Sequence, residues 1–105
     1  MSNKNKLQRF AEIAVLPNVL ENFDFHDPHV TDGSGRRIDI KGNWNRLLFE
    51  KDLPIVLELA CGKGEYTTHL AVADPGKNYI GIDIKGARIW KGATVAHEQG
   101  LKNVA

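Results

Sequence analysis

Cysteine occurs once, at position 61, so no intrachain disulfide can form and a reducing compartment is expected. Long apolar runs are missing as well. None approaches the roughly 18 residues that a membrane-spanning helix needs, which excludes such a helix. The opening residues Met-Ser-Asn-Lys-Asn-Lys contain no apolar stretch of the kind a secretory signal carries, and the cytoplasm is the expected location. The chain also lacks a charge of one sign: its formal net charge of +1 supplies no global attraction to nucleic acid or to a membrane surface. It has no internal repeat and no low-complexity tract.

What is present fits one soluble globular domain. At 105 residues a chain buries about 60 to 70% of its unfolded surface, enough for a core if its sheet is whole. The charges are blocked rather than mixed. Lys4, Lys6 and Arg9 precede any acid; Glu12, Glu21, Asp24, Asp27 and Asp32 follow with no Lys or Arg among them; Arg36, Arg37, Lys41 and Arg46 come next. Leu7, Phe10, Ala11, Ala14 and Val15 recur at helical spacing, which predicts an amphipathic helix over residues 4 to 16, stopped by Pro17. Residues 18 to 32 read as loop, Asp32-Gly-Ser-Gly35 as a turn, and Arg37 to Ile40 as a short strand. Trp44, Leu47, Leu48 and Phe49 suggest a helical turn or two.

From Leu53 the punctuation is that of an α/β protein. Leu53 to Leu59 reads as a buried strand, with Pro54 near its start and Glu58 near its end. Tyr66, His69, Leu70 and Ala73 predict one face of a helix that Asp74-Pro75-Gly76 terminates. Tyr79 to Ile82 reads as a second strand, Ala87 to Gln99 as a second helix with Gly100 just past its end, and Asn103-Val104 as the start of a third strand. The order β-α-β-α-β implies one parallel sheet. Because residue 105 falls just inside that third strand, the sheet is expected to be incomplete.

The chemistry lies in the turn after the first of these strands. Gly62 and Gly64 allow a sharp bend and the close approach of a ligand at a helix N-terminus, with Glu58 beside them. The spacing is not the dinucleotide G-x-G-x-x-G, since Ala60 holds the first glycine's place and no third glycine follows Gly64. A P-loop ending in G-K-[ST] is absent too. What remains is E-x-A-x-G-x-G with an acid, Asp83, at the end of the next strand, where a carboxylate accepts hydrogen bonds from both hydroxyls of a ribose. An unphosphorylated adenosine moiety suits this pattern better than a pyrophosphate.

Leu57-Glu-Leu-Ala-Cys-Gly-Lys-Gly64 resembles the first motif of class I S-adenosylmethionine-dependent methyltransferases, and Tyr79-Ile-Gly-Ile-Asp-Ile-Lys85 resembles their acidic second motif. With Glu98-Gln-Gly-Leu-Lys-Asn-Val104 at the end of the following helix, the pattern is similar to the bacterial tRNA (guanine-N7)-methyltransferases over roughly residues 53 to 104. The resemblance implies a truncated, Rossmann-like α/β fold of the doubly wound class: an N-terminal helical and loop extension over residues 1–50, then the front half of a cofactor domain over 51–105. It implies S-adenosyl-L-methionine as cofactor, with Glu58, Ala60, Gly62, Gly64 and Asp83 as the cofactor-binding residues, and tRNA as partner. Asp83 stands where several relatives have Glu, which shortens the reach but keeps the acceptor pair. The family's remaining cofactor contacts and its substrate-site acid would lie past residue 105. No catalytic residue is assigned, because guanine N7 has no proton to lose and the reaction needs no general base.

Other readings compete. Cys61 is a candidate nucleophile, but it has no His/Asp partner pattern and packing as a small apolar residue explains it. His26-x-x-His29 with Asp24 and Asp27 has metal-donor types, yet Pro28 prevents helical presentation and no third histidine supports it, so no metal is assigned. His69 and His97 are explained by packing on helices. Lys63 meets a cofactor carboxylate or points to solvent. The basic runs, with Lys85, Arg88 and Lys91 on the second predicted helix, suit an RNA backbone or a solvated face, and Trp44 suits base stacking or a core. Functionally the alternatives are another class I methyltransferase with a small-molecule or protein substrate, and a non-catalytic piece that binds cofactor weakly or self-associates through its unfinished sheet. Homo-oligomerisation or marginal stability is expected.

Overall fold

The structure, a computed structural model, describes residues 5–22, 24 and 26–105. Lys4, where the first predicted helix and the first basic run begin, lies outside the described residues. Helix α1 spans Lys6–Ile13. Its start is fixed by a reciprocal cap: Asn5 Oδ1 accepts from the Gln8 N–H at 2.8 Å, and Gln8 Oε1 accepts from the Asn5 N–H at 2.9 Å. The apolar face read from the sequence docks only in part: the Phe10 ring lies against Gly86 and Ala14 is half-buried, but its two ends are not covered. Leu7 and Val15 stand in solvent, whereas Ile13 is buried and Arg9 and Glu12 are half-buried. The reason is Trp90, whose Nε1–H donates to Glu12 Oε2 at 2.7 Å while the Arg9 guanidinium lies 5.1 Å from its ring centroid.

The stretch read as loop contains a strand. Strand β1 (Val30–Thr31) pairs antiparallel with β2 (Arg37–Ile38), and Glu21 adds a bridge to Thr31. Asp32 closes the turn between them, its Oδ1 accepting from Ser34 N–H at 2.9 Å and from Arg36 N–H at 3.0 Å. The predicted strand thus ends at Ile38, two residues early. Helix α2 (Trp44–Leu48) follows and leads into β3 (Ile55–Leu59). A buried asparagine fastens these parts: Asn78 Nδ2 donates to Asn45 Oδ1 at 2.7 Å and to Lys51 O at 2.9 Å.

The remainder is an α/β unit with a small parallel sheet. Helix α3 (Glu65–Ala73) joins β3 to β4 (Asn78–Ile82), and β3 and β4 run parallel in a register that sets Ile55 opposite Asn78 and Leu59 opposite Ile82. Helix α4 (Gly86–Glu98) ends in a Schellman motif, with the Leu101 N–H on Ala96 O at 3.0 Å and Gly100 in the left-handed region at φ 66°. The chain then lies along the second edge of β4. Asn78 N–H bonds toward β3, at Pro54 O, so the next residue's amide points the other way, and Tyr79 N–H donates to Asn103 O at 2.8 Å. The predicted third strand is present as this parallel bridge between Tyr79 and Val104.

The core of this unit is Ala71, Tyr79, Ala96 and Val104, with Val56, Leu70 and Leu101 packed against it. Two expectations are corrected here. The inward face of α3 is Thr67, Leu70 and Ala71 rather than Tyr66, His69 and Ala73, because the small residues let the helix lie close to β4. Strand β3 is not buried on both faces: Ile55, Leu57 and Leu59 are exposed while Val56 and Glu58 are covered in part.

Candidate cofactor-binding turn

The sharp strand-to-helix turn after β3 is made by three residues in the left-handed region: Ala60 at φ 57°, Gly62 at φ 60° and Gly64 at φ 70°. Glycine adopts this conformation freely, whereas an alanine there carries a Cβ penalty of about 1–2 kcal/mol. Ala60 is therefore strained where the turn begins, a feature the sequence signalled only as a missing first glycine. The Cys61 N–H donates to Ile82 O at 2.9 Å, continuing the parallel ladder into the turn, and the Gly64 N–H donates to Cys61 O at 2.9 Å. Helix α3 then starts from Gly64 without a side-chain cap, so its first N–H groups have no capping side chain.

Asp83 reaches this turn from the end of β4. Its Oδ2 accepts from the Gly62 N–H at 2.8 Å and its Oδ1 from the Lys85 N–H at 2.8 Å. These two bonds, Lys85 first and Gly62 next, hold its carboxyl below the usual aspartate range. It is therefore an ionised acceptor at neutral pH, and each oxygen keeps a further lone pair. Glu58 sits opposite Gly81 in the ladder and accepts a hydrogen bond from the Thr67 hydroxyl of α3. Burial raises the Cys61 thiol above its ordinary range, and the negative charges of Asp83 and Glu58 add to the rise. Cys61 is thus a neutral thiol packed on Gly81, where a Cβ would come within 2.9 Å of Sγ, and not an activated nucleophile.

The five predicted cofactor residues thus occupy one turn and the two strand ends beside it. Gly62 is bonded directly to Asp83, and a Cβ built on Gly62 would meet nothing within 4 Å, so the turn has an open side. The other side closes on a cavity of about 70 Å³ lined by Cys61, Gly64, Thr67, Gly92, Ala93 and Ala96 among others. That space is far below the roughly 300 Å³ at which small-molecule pockets begin. A nucleoside cofactor therefore has room on the open side only. The residue that sequence reasoning missed is Gly92 of α4, which approaches the turn from behind and belongs to no motif.

Elsewhere the candidates separate. Lys63, Lys85, Arg88 and Lys91 are exposed. Arg36 pairs with Asp32 at 3.2 Å and Arg37 with Asp27 at 3.5 Å, so part of the basic run is locally neutralised. His29 Nδ1 lies 2.6 Å from Asp27 O, and among the described residues no group of three or more His, Cys, Asp or Glu is placed to hold a metal ion. Nor is any helix among them long and apolar enough to cross a membrane.

Comparison with known proteins bears on the same segment. A family model described as "Putative methyltransferase" matches residues 52–105. The chain is 50% identical over 105 residues to a tRNA (guanine-N(7)-)-methyltransferase of Christiangramia forsetii, covering 100% of this chain and 44% of that protein. It is 48% identical over 102 residues to the Bacteroides fragilis protein of the same name, covering 97% of this chain and 38% of that one. A third protein of that name, from Clostridium acetobutylicum, is 41% identical over 66 residues, covering 63% of this chain and 31% of its own length. The chain therefore spans less than half the length of these relatives. No solved structure matches it.

Proposed function

This chain belongs to the methyltransferase family that it matches over residues 52–105, and from that premise we propose that it is the cofactor-binding part of an S-adenosyl-L-methionine-dependent enzyme that methylates N7 of guanine in tRNA. The relatives' shared name supports the substrate. The observation that carries the cofactor assignment is the bond between Gly62 and Asp83, which joins the glycine turn to the acid in one rigid acceptor site. In the finer reading, residues 51–105 are the front of a Rossmann-like class I domain, residues 1–50 are its N-terminal extension, and the protein works in the cytoplasm.

The residues present fit the cofactor. Asp83 is ionised and offers one spare lone pair per oxygen toward ribose hydroxyls. Gly62 puts bare backbone at the open side, Gly64 makes the bend against α4, and Glu58 is steadied by Thr67 at the end of β3. When bound, S-adenosyl-L-methionine supplies an electrophilic methyl group on a sulfonium, and the guanine N7 that takes it carries no proton. The task left to this chain is to hold the cofactor in position and to exclude water, and positioning of this kind accounts for several orders of magnitude in rate. Lys85, Arg88 and Lys91 supply exposed positive charge suited to an RNA backbone. The open strip formed by Ile55, Leu57, Leu59 and Ile82 favours self-association as a second property of the isolated chain.

Calorimetric titration with S-adenosylhomocysteine tests the cofactor reading. Saturable one-site binding that Asp83→Ala abolishes is the expected result, and a folded chain that binds nothing overturns it. Methyl transfer to unmodified tRNA, by a protein carrying this chain within the length of its relatives, tests the substrate.

A further inference from the structure

Gly92 sits in the middle of the 13-residue helix α4, where a glycine weakens a helix relative to alanine. A Cβ built there would lie 2.2 Å from the Lys63 carbonyl oxygen, 3.1 Å from the Lys63 carbonyl carbon and 3.2 Å from Gly64 Cα. All three are backbone atoms, so no change of rotamer makes room. The approach is mutual: the missing Cβ of Gly64 would stand 3.7 Å from Gly92 Cα. Backbone therefore meets backbone at the turn, and only at a glycine can α4 come so near.

The helix that makes this contact is itself anchored. Trp90 is held by Glu12 and Arg9 of α1, and Asn18 Nδ2 donates to the Ala93 carbonyl at 3.1 Å, one residue beyond Gly92. The turn is thus gripped from two sides. Asp83 pulls on the Gly62 amide from the strand end, and α4 supports Lys63 and Gly64 from behind.

We propose that Gly92 is a positioning residue of the cofactor turn: its bare Cα lets α4 act as a backstop behind Lys63 and Gly64 that fixes where the open side at Gly62 faces. This inference rests on the reading of the turn as a cofactor site. Through it the N-terminal segment acquires a role in cofactor binding, since α1 and Asn18 set the position of α4.

Gly92→Ala in the 105-residue chain is the test, with the exposed Glu98→Ala of the same helix as its companion. By helix propensity alone Gly92→Ala strengthens α4, so a loss is attributable to the contact. Amide exchange followed residue by residue reads the turn without a ligand. The expected result is faster exchange at Cys61, Gly62 and Gly64, with unchanged protection at Tyr79 and Gly81, and S-adenosylhomocysteine binding weakened on the order of tenfold or more. Glu98→Ala is expected to change neither. A folded Gly92→Ala chain with unaltered exchange in the turn overturns the proposal. Should that variant not fold, an Hα–Hα cross-peak between Gly92 and Gly64 in the unaltered chain supports the close approach, and its absence overturns it. An unaltered, folded chain that fails to bind S-adenosylhomocysteine overturns the cofactor reading instead, which keeps the two failures distinct.

Discussion

The two faces of the β3–β4 pair are both rich in apolar residues, yet they end in different states. On one side Val56, Glu58, Tyr79 and Gly81 point toward α3 and α4, and Tyr79 is 4% exposed within the core of Ala71, Ala96 and Val104. On the other side Asn78 and Ile80 are buried, but Ile55, Leu57, Leu59 and Ile82 remain 40, 56, 73 and 44% exposed. On β3 exposure is greatest at the strand end that leads into the glycine turn. Strand hydrophobicity therefore identifies residues suited to an apolar neighbour without saying that this chain supplies one.

Truncating one residue on each face gives the sharpest contrast. Tyr79→Ala empties a filled core position and removes the hydrogen bond from its hydroxyl to Asp74, and is expected to cost about 3 kcal/mol or more. That is a large share of the roughly 5–15 kcal/mol by which domains are stable. Leu57→Ala, on the open face, is expected to cost less than about 1 kcal/mol because much of the side chain already meets water. Urea midpoints at constant m-value measure both. Equal losses would break the comparison and mean that the open face is covered in solution. A dependence of the Leu57→Ala effect on protein concentration would then identify a second copy as the cover.

The covered face also carries a carboxylate, and its partner predicts a smaller effect. Thr67 is 3% exposed and its hydroxyl donates to Glu58. Thr67→Val keeps the shape and removes the donor, which is expected to destabilise the chain by about 1 kcal/mol. Thr67→Ser restores the hydroxyl and should recover part of the loss. A neutral Thr67→Val chain would mean that Glu58 is satisfied by water, and that the covered face is wetter at this end than its packing indicates.

What could be read from the sequence was what local chemistry fixes. The turn at Asp32-Gly-Ser-Gly35 closes within five residues on its own aspartate, Gly100 ends α4, and the strand, glycine turn, helix and acid succeed one another along the chain. Periodicity misled on α1 and α3, where a polar residue has its partner on another element. Arg9 and Glu12 dock α1 because Trp90, some eighty positions away, receives them, and Thr67 faces inward because Glu58 does. Val30–Thr31 was hidden for the same reason, since a two-residue strand exists only through the segments it pairs with. Gly92 shows in the sequence only as a glycine inside a helical pattern, and its significance comes from the Lys63 backbone that lies against it.

The smallest effect concerns Asp83, immediately after β4 at the end of both faces. Its folded pKa is depressed by the amides of Lys85 and then Gly62, so the stability it contributes is present above the ordinary aspartate value and is lost as pH falls through the lower, folded value. Asp32 and Asp74 are depressed as well, by their own local hydrogen bonds, so an acid melt of the whole chain would combine all three. The Gly62 and Lys85 amide protons separate Asp83 from the others, because each donates to one of its oxygens. They are expected to shift together, with a midpoint below the ordinary aspartate value, while the Tyr79 amide on the covered face stays in place. Movement of Lys85 without Gly62 would show that the carboxylate grips its own strand end and not the turn, and a midpoint that is not lowered would show that it grips neither amide. Gly92 would then be the turn's principal support, and Asp83→Ala would weaken the proposed cofactor binding only through loss of the carboxylate as an acceptor.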